Sequence, residues 1–71
     1  MIVYVTQYEE RGIVDEPIIH ADKFEGEVFF IECVNEITGK VAKTVEEAET
    51  NMDEAYDGHM LIRFWSVKVK K

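Results

Sequence analysis

The sequence predicts an α+β domain: a small, mostly antiparallel sheet of three or four strands packed by one amphipathic helix. Three observations carry that expectation. β-branched and aromatic runs lie near both ends of the chain, over residues 2–8 and 60–69. A capped stretch with helical periodicity fills residues 44–58. One proline and four glycines leave no room for a linker or a low-complexity segment, so residues 1–71 are expected to form one domain.

In chain order, residues 2–8 read as the first strand. Ile2, Tyr4, Thr6 and Tyr8 share one face, and Val3, Val5 and Gln7 share the other. Glu9-Glu10-Arg11-Gly12 ends the run. Residues 13–26 are irregular in pattern. Asp15-Glu16-Pro17 has the form of a helix start, while Ile18, Ile19, Ala21 and Phe24 suit a helical turn or a short edge strand. The preferred reading is a packed surface loop anchored by Ile18, Ile19 and Phe24.

Residues 27–34 read as the strongest strand, with Phe29, Ile31 and Cys33 alternating against Val28, Phe30 and Val34. Residues 35–40 then read as a hairpin turn with Gly39 at positive φ, and residues 40–43 as a short returning strand. Thr44 and Glu47 form a capping box that opens a helix over residues 45–57. Val45, Ala48, Met52, Ala55 and Tyr56 make its apolar stripe, and Gly58 is the left-handed residue expected to end it. The last strand, 60–69, places Met60, Ile62 and Phe64 on one face and Leu61, Trp65, Val67 and Val69 on the other. The expected order is strand, irregular stretch, strand hairpin, helix, strand.

One helix covers only one face of such a sheet, yet the strands are apolar on both. Tyr4, Phe30 and Trp65 therefore need a cover. A curled barrel, the 13–24 segment folded across, or a partner would supply it. A homodimer through these residues is the partner reading.

The formal net charge of −7 opposes direct binding to nucleic acid and favours solubility. Acids dominate the first half, where Arg11 and Lys23 are the bases between residues 9 and 36. The helix adds Glu46, Glu47, Glu49, Asp53, Glu54 and Asp57 with no Lys or Arg among them. Arg63, Lys68, Lys70 and Lys71 lie on or after the last strand and read as a soluble strand end. No apolar run is long enough for a membrane span, and residues 1–4 lack the basic start of a signal peptide. A lone Cys33 makes no internal disulfide, so a reduced, cytoplasmic setting is expected.

Catalytic patterns are missing from the sequence. Ser66 has no nucleophile-elbow setting, and Cys33 in an apolar run reads as a structural cysteine. His20 with Asp22, or Asp57 with His59, supplies two metal ligands and no third at ligand spacing. No phosphate-binding glycine loop occurs, so no enzyme, cofactor or metal is expected. What remains is a protein-binding module. Glu46, Glu49, Asp53 and Asp57 fall in one band of the helix, and Glu9, Glu10, Asp15 and Glu16 extend the acidic surface. Its expected partner is a basic, nucleic-acid-binding protein. Small acidic domains of this kind often serve as inhibitors carried by phages or mobile elements, an association by size and charge. The alternative is an assembly subunit that makes a homo-oligomer through an apolar sheet face.

Overall fold

The structure is a computed structural model and describes residues 1–70. It is an α+β fold with an open, four-stranded antiparallel sheet and two helices. Strand β1 (Ile2–Glu10) lies at the centre. On one side it pairs along its whole length with β4 (Met60–Lys68), from Ile2 opposite Lys68 to Glu10 opposite Met60. On the other side it pairs with the short β2 (Ile13–Val14) and β3 (Ile18–His20). Helix α1 (Lys23–Thr38) covers one sheet face, and α2 (Val45–Ala55) packs chiefly on α1.

The main correction to the sequence reading is α1. Residues 27–34, expected as a strand, form the middle of a helix. Gly26, Phe30 and Val34 are spaced four apart and are the helix's buried residues. Apolar residues on both sides of the segment follow from its position, with the sheet below and α2 beside it. The ends of α1 are marked by local chemistry. Asp22 caps the start, its carboxylate accepting from the Glu25 N–H at 2.9 Å. Gly39 ends it with φ of 73°, donating its N–H to the Asn35 carbonyl. The positive φ expected at Gly39 is present, but it closes a helix and not a hairpin.

Residues 40–43 form no strand. Ala42 is held instead by the Asn35 side chain, which accepts from the Ala42 N–H at 2.8 Å and donates to its carbonyl at 3.2 Å. Within residues 13–26, Ile18–His20 is an edge strand on β1. Ile18, Ile19 and Phe24 are exposed and anchor nothing. Helix α2 starts where expected, with Thr44 Oγ1 accepting from the Glu47 N–H at 3.1 Å. It stops at Ala55, two residues early, so Ala55 and Tyr56 stay exposed and Gly58 belongs to the following turn. Its buried contacts are Ala48 and Met52, with Val45 half-buried.

The core is therefore built between the sheet and the two helices. Phe30, Val34, Ala42, Ala48, Met52 and Ile62 form one buried cluster, with the Phe64 ring stacked on Phe30 at 5.1 Å between centroids. Closest approach of α1 to the sheet is at Gly26, where an added Cβ would sit 2.8 Å from Tyr4 Cβ. Thr6 lies fully buried on the same sheet face, and its hydroxyl has no hydrogen-bond partner among the described residues.

Two substitutions test this packing through opposite signs. Gly26→Ala adds a methyl group against backbone-anchored atoms, so it should lower stability by about 1–3 kcal/mol despite its helix-propensity gain of about 1 kcal/mol. Thr6→Val keeps the shape and removes the unpaired hydroxyl, so it should raise stability by about 1 kcal/mol. Urea unfolding of both variants checks the pair; a stabilised Gly26→Ala would mean α1 stands off the sheet.

Candidate protein-binding surface

The geometry of interest lies between α2 and β4. Antiparallel ladders alternate, so the hydrogen bonds that extend the β1–β4 ladder set its phase. Val69 donates to the Met1 carbonyl at 2.8 Å, and Arg11 donates to the His59 carbonyl at 2.7 Å. By that phase Leu61, Arg63, Trp65 and Val67 turn their backbone groups to β1. Ile62, Phe64, Ser66 and Lys68 turn theirs outward, where β4 has no neighbour among the described residues. Ile62 is almost fully buried, whereas Phe64 is half-buried and Ser66 and Lys68 are exposed. The accessible edge therefore begins at Phe64.

Packed helices lie about 8–10 Å apart and paired strands about 4.8 Å. A helix seated beside α1 on the β4 side therefore overhangs the position that a next strand would take. A groove of about 350 Å³ occupies that position. Phe30, Met52, Leu61, Ile62 and Phe64 supply its apolar walls, Glu49 and Asp53 line it from α2, and Arg63 and Trp65 line it from β4.

All the acids of α2 are exposed. Glu46, Glu49 and Asp53 recur at helical spacing, and none of them is ion-paired among the described residues. Glu54 is paired, with Lys40 at 3.3 Å. Asp57 falls past the end of the helix and accepts from the His59 N–H at 3.1 Å, which takes it off the band. Glu9 is half-buried on the open sheet face, 3.6 Å from Arg63. Glu10, Asp15 and Glu16 are exposed at the end of the sheet, near the β1–β2 turn. There Arg11 also donates from Nε to His59 Nδ1 at 3.2 Å. The expected acidic surface thus divides into an α2 band and a separate group at the sheet end, which also carries Arg11.

The expected oligomer residues divide as well. Phe30 is sealed in the core, and Tyr4 is half-buried under Gly26 with its ring 6.5 Å from Phe64. Both lie on the helix-covered face, so neither needs the external cover that the sequence suggested. Trp65 lies on the uncovered face. Its register places Val5 opposite both Trp65 and Ile19, and Val3 opposite Val67. Ile19, Trp65 and Val67 are 59%, 39% and 39% exposed. Val3, Ile19 and Val67 were the missed members of this patch, which lies around the buried Val5, and the antiparallel alignment of strand 2–8 with 60–69 contains two of them.

Residues that could have suggested chemistry have structural partners. Asp22 is the α1 cap, and Asp57 and His59 tie down a turn. Burial, followed by hydrogen bonding to Cys33, holds the Tyr8 phenol far above its ordinary pKa, so it stays protonated at neutral pH. Cys33 is a free, half-buried thiol packed against the core. Among the described residues, no three His, Cys, Asp or Glu side chains gather to hold a metal ion, and no helix is long and apolar enough to cross a membrane. No protein-family model matches this chain, and no curated protein or solved structure matches it either.

Proposed function

We propose that this chain is a non-enzymatic binding module that docks the carboxylates of α2 on a basic partner protein. The observation that carries the reading is the groove beside β4. Glu49 and Asp53, unpaired among the described residues, line a depression whose other walls are apolar except for Arg63, itself paired with Glu9, which combines charge for orientation with surface for affinity. A basic groove that normally holds nucleic acid is the natural counterpart of such a surface. Small size and a net charge of −7 fit an inhibitor of the kind phages and mobile elements carry. From Glu46 to Asp53 the band runs about 10 Å, enough to replace two or three phosphates of a strand. The test is Glu49→Lys with Asp53→Lys, which leaves the buried Ala48 and Met52 untouched. With the fold verified by circular dichroism, the double variant should lose a partner captured from lysate by the parent. Retained capture at low salt would reduce the acidic band to a solubility device.

The uncovered sheet face supports a second reading, a homodimer. Val3, Ile19, Trp65 and Val67 form a patch around the buried Val5, and its flanking charges, Glu9 and Arg63, offset each other. It is the part of an acidic surface where two copies meet without repulsion. Strands of this length across three positions give a footprint of about 400 Å² per copy, so two copies bury roughly 800 Å², at the lower limit of a specific interface. Light scattering should show a dimer that forms as the concentration approaches about 100 μM and disappears in Trp65→Lys. A monomer mass throughout that range would discard the second reading.

A further inference from the structure

We propose that the groove between α2 and β4 is a strand-addition site for an extended peptide segment in which basic and apolar residues alternate. The inference rests on the reading of α2 as a docking surface and states how the partner enters it. Backbone groups supply the first half of the case. Phe64, Ser66 and Lys68 present outward N–H and C=O groups along an edge that nothing among the described residues covers. An extended segment pairing there gains main-chain hydrogen bonds whatever its sequence, and the pockets on either side select its side chains.

The selection follows from the two faces of the added strand. Successive residues of a strand point to opposite faces of the sheet. Those on the helix side pass beneath α2, between the apolar walls at Met52 and Phe64 and the carboxylates of Glu49 and Asp53. Lysine or arginine suits that place, its methylene stem on the apolar wall and its charge at the rim. Residues on the other side extend the apolar patch beside Trp65 and Val67. Basic and apolar residues in alternation satisfy both faces at once.

The occupant is a bare strand and not a second folded copy. Pairing β4 with β4 of another copy would bring that copy's α1 over its own edge strand. The overhanging α2 already fills that space, since it sits one helix diameter out from α1. Like charge on two copies of net −7 opposes the same arrangement.

The experiment uses a capped decapeptide of alternating lysine and valine as the probe. Trp65 is the only tryptophan and lines the groove, so its emission reports occupancy. Saturable binding should appear below about 1 mM and weaken at least about tenfold in the Glu49→Gln, Asp53→Gln double variant. Ser66→Pro separates strand addition from plain charge attraction. The Ser66 N–H points away from β1, so proline there removes an edge donor and no ladder bond. Binding should fall at least about tenfold in that variant as well. A capped decapeptide of alternating lysine and valine with every backbone nitrogen methylated repeats the comparison without altering the protein. Its charge is equal and it offers no main-chain donor for a ladder, so it should leave Trp65 emission unchanged. If both the methylated peptide and Ser66→Pro bind like their parents, strand addition is overturned while the acidic docking surface stands. If the double glutamine variant binds undiminished, the docking reading itself fails and the basic occupant with it. No saturation by the lysine-valine peptide overturns the site.

Discussion

The seat of α1 on the sheet is the contact on which the rest of the molecule depends. Gly26 lets the helix approach until Tyr4 Cβ fills the space its own side chain would have used. One turn on, Phe30 stacks on Phe64 and closes the gap between helix and β4. A helix at that distance presents Val34 and its neighbours to α2, whose Ala48 and Met52 complete the same cluster. In 71 residues there is little surplus core, so displacing α1 would remove the support of α2 and the covered sheet face together.

The same placement decides where the unsatisfied surfaces lie. Because α2 packs on α1 and not over the centre of the sheet, it stands beyond β4, and no strand among the described residues takes the next position beneath it. Because both helices lie on one face, Trp65 and Val67 are left exposed on the other, beside the buried Val5. Charge then divides these surfaces by kind. The α2 band is acidic and unpaired, whereas the open sheet face has its Glu9 offset by Arg63. The first suits a partner of opposite sign; the second suits an apolar surface of either origin.

Part of this arrangement was legible residue by residue. The strands at both ends showed their β-branched alternation, and Thr44 with Glu47 marked the start of α2 to the residue. The acidic band was visible in the spacing of Glu46, Glu49 and Asp53. Asp57 was not excluded from it, because Gly58 is an equally good end signal and only the turn through Asp57 and His59 shows that the helix stops sooner. Phe30 was misplaced for a related reason. An apolar residue that lacks a visible partner in the sequence reads as exposed, whereas Phe30 sits on α1 with its ring against Phe64 of the sheet.

The sequence by itself determined the antiparallel α+β class, both long strands, the capped α2 and the acidic surface, because each is written in local chemistry: alternation, caps and charge spacing. Only the tertiary structure decided that residues 27–34 are helical. Val28, Phe29, Phe30, Ile31, Cys33 and Val34 favour a strand by intrinsic preference, and a run apolar on every side suits a buried strand or a buried helix equally. The Asp22 cap and Gly39 end signal were present, yet each also has a turn reading. What settled the matter was packing. The long pair β1–β4 offers one apolar face, and a helix carrying Gly26, Phe30 and Val34 along one side fills it, while the other residues of the run meet α2 or solvent. The vacant edge of β4 and the groove beside it follow from that long-range choice, which no window of the sequence contains.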